Sequence, residues 1–157
     1  KLSNGEKLPT LEKYLKQGKK SKQVKLIVEI KPAKTPELED EMVIKTLKII
    51  RDKSLENQCE FISFSLHLCK EIKRQNPKAI VQYLAGDLSP SDIKNAGIDG
   101  LDYHYSVFLD KHPDWILEAK KLGLITNVWT VNDEVIFKKL ADLGVGFVTT
   151  NVPDVLK

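Results

Sequence analysis

The chain has 157 residues, 41% hydrophobic and 30% charged, enough to bury one core of ordinary domain size. Its 25 Lys and Arg against 22 Asp and Glu leave a net charge of +3, spread evenly along the sequence. That surplus is too small for an electrostatic footprint, so nucleic acid is not expected as a partner. No apolar run approaches the roughly 18 residues that cross a bilayer, and residues 1–9 (KLSNGEKLP) lack the layout of a signal peptide. Cys59 and Cys69 match neither a CxxC pair nor a metal-finger spacing, which leaves the compartment undetermined.

In chain order, residues 8–18 (LPTLEKYLKQG) predict a helix with Pro9 and Thr10 at its start, and the lysines of residues 13–25 a solvated surface. Residues 24–31 (VKLIVEIK) predict a strand. Residues 36–52 predict a helix, with Leu38, Met42, Ile44, Leu47 and Ile50 recurring at helical spacing. The unit then repeats. Strands are predicted at 60–65 (EFISFS), 79–85 (AIVQYLA), 98–105 (IDGLDYHY), 124–132 (LITNVWTVN) and 146–151 (GFVTTN). Each is followed by a helical pattern, the last a single turn from Pro153, and Gly97 and Gly123 stand where helices should end.

Six strands separated by single helices imply parallel pairing with right-handed crossovers, an α/β fold. An open doubly wound sheet and a closed barrel compete. No GxGxxG or GxxxxGK loop follows any strand, which counts against the nucleotide-binding open sheet. The expected fold is therefore a parallel (β/α)8 TIM barrel, with about six of its eight units in this window. Residues 1–157 are expected to form a single domain, the C-terminal portion of such a barrel, with the first two strands not included.

In a parallel barrel the functional groups sit at the C-terminal strand ends. Alternation in VKLIVEIK puts Ile27, Glu29 and Lys31 on one face. An acid and a base sharing the mouth of a barrel fit a structural ion pair, a metal or phosphate site, or a Schiff-base lysine. Trp129 shares a face with Asn127 and Val131 at the end of its strand, and fits either a core residue or the apolar wall of a small-ligand pocket. His104 shares a face with Asp102 and fits a structural hydrogen-bonded histidine or a ligand contact. Ser63, Ser65, Gln82, Asp87 and the Tyr103–Tyr105 cluster are weaker strand-end candidates, and His67 and His112 are expected at the surface of helix starts. No serine or cysteine nucleophile with a placed base is visible, which counts against acyl transfer.

These segments resemble the glycerophosphodiester phosphodiesterases. LPTLEKYL (residues 8–15) followed by VEIKP (28–32) looks like the family's P-T-L-E segment and E-x-K strand. NVWTVND (127–133) followed by LADLGVGFVTTNVPD (140–154) looks like its last two strands, and SFS (63–65) and YLAGDLSP (83–90) fit between. The resemblance implies a barrel enzyme that hydrolyses small-molecule glycerophosphodiesters to an alcohol and sn-glycerol 3-phosphate with a divalent cation, Ca or Mg. It maps Glu29 onto a metal ligand, Lys31 onto the phosphate contact and Trp129 onto the glycerol pocket; Ser63, Tyr83 and His104 stay as weaker site candidates with no role mapped from the family. The family's H-R-G, E-N-T, E-x-D and H-D segments do not occur in this sequence, and His67, His104 and His112 stand in other segments. No catalytic acid/base residue is therefore expected within it; those groups are expected upstream of Lys1. The expectation is a fragment of such an enzyme; the alternative is an inactive truncated barrel acting as a binding or structural module. Oligomerisation is left open.

Overall fold

The computed structural model describes residues 3–156. Lys1, upstream of which the acid/base groups are expected, lies outside the described residues, so that expectation has no counterpart in the fold described below. A helix α1 (Leu11–Gly18) opens the described fold, with the Thr10 hydroxyl accepting from Lys13 N–H as its N-cap. Five strand-helix units follow: β1 (Leu26–Glu29) and α2 (Pro36–Asp52), β2 (Cys59–Ser63) and α3 (Leu66–Gln75), β3 (Val81–Tyr83) and α4 (Pro90–Asn95), β4 (Gly100–His104) and α5 (Trp115–Lys121), β5 (Ile125–Trp129) and α6 (Glu134–Asp142). A last strand β6 (Phe147–Val148) completes one sheet in the order β1-β2-β3-β4-β5-β6, every pair parallel. Sequential order with helical crossovers is the winding of a barrel wall, and the described strands form an open half-barrel rather than a doubly wound sheet.

The helices start where side chains satisfy their free N–H groups. Thr35, Ser65, Ser89 and Asp133 each accept from a main-chain N–H three residues on, and Ser89 with Asp92 forms a reciprocal capping box. Gly97 and Gly123 adopt φ of +72° and +69°, ending α4 and α5 in the left-handed region that a Cβ disfavours. The observed strands are shorter than the predicted ones, although single main-chain hydrogen bonds run on past their ends, from Ile30 N–H to Ile62 O, Leu84 N–H to Ser63 O and Val131 N–H to Thr149 O. A π-helical turn at Val107–Lys111 follows β4 and has no counterpart in the sequence reading. The segment from Pro153 forms a single turn, as expected.

Strand alternation divides the sheet into two faces. The outer face, with Val28, Phe61, Val81, Leu101, Tyr103 and Val128, packs on the helix layer through Val43, Leu47, Leu68, Ile72, Ile93, Ile116 and Leu140. Each fully buried aliphatic side chain in that seam is worth about 1.5–3 kcal/mol. The inner face carries Ile27 and Glu29 on β1, Ile62 on β2, Gln82 on β3, Asp102 on β4 and Asn127 and Trp129 on β5. The described residues leave it open at both edges, where Ile27 and Phe147 are exposed. No helix among the described residues is long and apolar enough to cross a membrane.

Candidate functional site

A cavity of about 280 Å³ opens at the C-terminal ends of the strands, lined by Glu29, Lys31, Ile62, Phe64, Leu84, Asp102, Trp129, Thr130 and Thr149. It is the place where barrel geometry collects functional groups. A second cavity, lined by Leu47, Ile50, Arg51, Glu56, Asn57, Phe61, Gln75, Asn76 and Lys78, lies at the opposite ends of the strands, away from these groups.

Three sequence candidates meet in the strand-end cavity. The Lys31 ammonium donates to Glu29 Oε1 at 2.8 Å, so the first of the predicted options, an ion pair, is present. Both partners reach solvent, and an ion pair so exposed contributes at most about 1 kcal/mol. A charged pair with so little structural value leaves Lys31 free to turn toward an anion. Trp129 is half-buried; its indole N–H donates to the main-chain oxygen of Asp102 at 2.9 Å, and Phe64 meets it edge-on at 5.8 Å between ring centroids. The indole is thus a fixed wall and not part of the sheet-helix core. His104, paired in register with Trp129 on the inner face, packs edge-on against it at 5.2 Å.

Ser63 and Tyr83 lie elsewhere, and the reason is the strand period. Both stand on the outer face. The Ser63 hydroxyl is fully buried, donates to Ile30 O at 2.7 Å and accepts from Ser65 N–H at 3.1 Å. It joins strand ends and touches no part of the cavity. Tyr83 packs edge-on against Tyr103 in the core, and burial together with the neighbouring Asp87 carboxylate pushes its phenol up to about 12. His104 bonds through Nδ1 to Ser106 Oγ at 2.8 Å, not to Asp102 as the shared face suggested. His67 pairs with Asp40 at 2.8 Å on the surface, as expected. His112 is half-buried and stacks on Trp115 at 3.8 Å, because the unforeseen π-helical turn delivers it there and not to an exposed helix start. Both cysteines are buried, their thiols pushed up by desolvation, Cys59 to about 11 and Cys69 to about 12.

Two carboxylates escaped the sequence reading as site or support groups. Asp102 is 2% exposed, lines the cavity floor, and is pushed up to about 7, first by desolvation and second by the charge of Glu29. The available signal was an acid at the centre of the buried strand GLDYH. Glu39, on α2, is also buried; it accepts from Ala33 N–H at 3.1 Å and from Ser65 Oγ at 2.8 Å. It thereby clamps the loop that carries Lys31 against the start of α3.

A hard cation needs oxygen ligands, and the inner face offers the carboxylates of Glu29 and Asp102 at the cavity. Among the described residues no group of three or more His, Cys, Asp or Glu side chains is gathered closely enough to hold a metal. The fit is therefore limited to a contribution by Glu29, whose Oε2 is not engaged with Lys31.

No curated protein matches the chain at a significant level. Among solved structures, a glycerophosphodiester phosphodiesterase from Parabacteroides distasonis is 45% identical with a TM-score of 0.94, over 98% of this chain and 64% of that one. A phosphodiesterase from Oleispira antarctica, solved in complex with its product sn-glycerol-3-phosphate, superposes with a TM-score of 0.80 at 22% identity, covering 94% of this chain and 59% of its own. A glycerophosphodiester phosphodiesterase from Agrobacterium tumefaciens gives 0.73 at 17%, covering 94% and 60%. The last two likenesses are evidence of fold alone. The chain spans somewhat under two thirds of the length of these relatives. The model of the glycerophosphoryl diester phosphodiesterase family matches residues 1–155, nearly the whole chain. By that match and by the 45% identity, the chain belongs to the glycerophosphoryl diester phosphodiesterase family.

Proposed function

We propose that this chain is the C-terminal portion of a metal-dependent glycerophosphodiester phosphodiesterase, and that its strand-end cavity binds the glycerophosphate part of the substrate. The carrying observation is the meeting of Lys31, Glu29 and Trp129 around one cavity in a member of this family. The chemistry of the three agrees with the reading. Lys31 supplies a mobile positive charge for the phosphodiester anion, which its weak pairing with Glu29 leaves available. Trp129 offers a fixed apolar face for the carbons of glycerol.

Glu29 contributes a carboxylate oxygen to a divalent cation, calcium or magnesium, which when bound supplies Lewis-acid polarisation of the phosphoryl oxygen. Lys31 adds charge stabilisation as negative charge grows on the phosphoryl oxygens. Glu39 acts behind them, holding the Lys31 loop at Ala33 and so fixing where the ammonium arrives. His67 and His112 lie outside the cavity and take no part in proton transfer on this account, which assigns that role to groups upstream of Lys1.

The experiment is release of sn-glycerol 3-phosphate from glycerophosphocholine by the complete protein, which includes the segments expected upstream of Lys1, followed with added calcium or magnesium and with excess chelator. Cation-dependent release that Glu29→Gln abolishes is the expected result. Release unaffected by chelator and by Glu29→Gln overturns the assignment. Retained binding of sn-glycerol 3-phosphate with no release favours the alternative, a binding module built on the same cavity.

A further inference from the structure

The phosphate and cation roles leave the buried acid of the cavity unused. Asp102 lies on its floor, 2% exposed, and its Oδ1 has no hydrogen-bond partner among the described residues. A buried acceptor without a donor costs about 1–3 kcal/mol, and an apolar residue at this position would avoid that cost, as Ile62 does on the inner face of β2. The neighbouring strands do not relieve it. Asn127 stands beside Asp102 in register with its own Oδ1 unpartnered, and Gln82 on β3 has its Oε1 in the same condition. The ammonium of the cavity, Lys31, is engaged with Glu29. At the cavity floor the Asp102 Oδ1 is thus a buried acceptor with no donor bonded to it.

The indole supplies an independent constraint. Trp129 donates its N–H to the main-chain oxygen of Asp102 itself, which fixes the indole beside the residue whose carboxylate is free. An aromatic face for C–H groups next to a buried acceptor for O–H groups is the pairing that a polyol requires. A carboxylate repels a phosphate, so the anionic end of a ligand is directed away from Asp102 and toward Lys31.

We propose that the Asp102 carboxylate accepts a hydrogen bond from a hydroxyl of the bound glycerol moiety, selecting polyol phosphates over simple alkyl phosphates and setting their orientation in the cavity. The assignment rests on reading this cavity as a glycerophosphodiester site. No bond is made or broken at Asp102; its role is recognition.

The test is calorimetric titration of the complete protein at pH 8 with sn-glycerol 3-phosphate and with ethyl phosphate, which lacks the hydroxyls, in the same cation-containing buffer. A charge-assisted hydrogen bond predicts that wild type prefers sn-glycerol 3-phosphate by about tenfold or more. Asp102→Leu should bring the two affinities to within about twofold, and Asp102→Asn, with a weaker neutral acceptor, should lower the ratio at least about threefold. Circular dichroism confirms folding, and if Asp102→Leu does not fold, Asp102→Asn decides alone. A wild-type ratio near one, or a variant ratio lowered by less than threefold, overturns the role of Asp102. Failure of wild type to bind either compound removes the glycerophosphate reading of the cavity itself, a distinguishable result.

Discussion

Replacing Asp102 by Asn should stabilise the protein at alkaline pH and flatten its stability profile. In the folded chain this carboxyl is held at about 7, against an ordinary value of 3.8, chiefly because burial penalises the anion and secondarily because Glu29 is negative. The folded state thus keeps a proton that the unfolded chain releases. Its contribution to stability is full below about pH 4, declines as pH rises, and is gone above about pH 7. A shift of about three units corresponds to roughly 4 kcal/mol in all, of which about 2–3 kcal/mol is lost between pH 5 and pH 8. Urea unfolding of both proteins at pH 5, 6, 7 and 8 measures it. The wild type should lose that amount relative to Asp102→Asn, whose neutral amide does not titrate, leaving the variant the more stable protein at pH 8. Parallel profiles for the two would refute the burial argument.

Two further substitutions separate structure from site. Ser63→Ala removes a hydroxyl that satisfies Ile30 O and Ser65 N–H, so unfolding free energy should fall by about 1–3 kcal/mol while the affinity for sn-glycerol 3-phosphate is unchanged; a selective loss of affinity at constant stability would return Ser63 to the site. Gly100→Ala would set a Cβ 2.6 Å from Ile125 O and 2.8 Å from Ile125 Cβ, forcing β4 from β5 at a cost of about 1–3 kcal/mol in urea unfolding, and an unchanged midpoint would show that the strands yield freely.

The parallel order of six strands was legible because each apolar run is bounded by helical spacing and turn residues, and helix boundaries such as Pro36–Asp52 and Leu66–Gln75 follow directly from their Thr35 and Ser65 caps. Glu29, Lys31 and Trp129 were legible for a different reason: alternation fixes the face and position along the strand fixes the end, and together these specify the barrel mouth. The same rule places Ser63 and Tyr83 on the outer face, because Ile62 and Gln82 are the inward residues of their strands. Strand-end position alone is therefore a weaker guide than position with parity. Asp102 was overshadowed by His104, whose expected bond to it is replaced by one to Ser106. The π-helical turn that stacks His112 on Trp115 has no periodic signature, since it depends on main-chain bonds one residue longer than a helix uses. Glu39 is a contact between distant segments, and spacing within α2 cannot reveal what lies across from it.

The central claim is that the strand-end cavity holds a glycerophosphate group against Trp129. The chain has two tryptophans, and Trp115 lies away from the cavity, stacked on His112, so the two indole N–H resonances of nitrogen-15-labelled protein report on site and non-site in one spectrum. Trp129→Phe identifies its signal. Saturable movement of the Trp129 indole on addition of sn-glycerol 3-phosphate, with the Trp115 resonance unmoved, is the predicted result; a Trp129 indole unmoved at millimolar ligand would contradict the account.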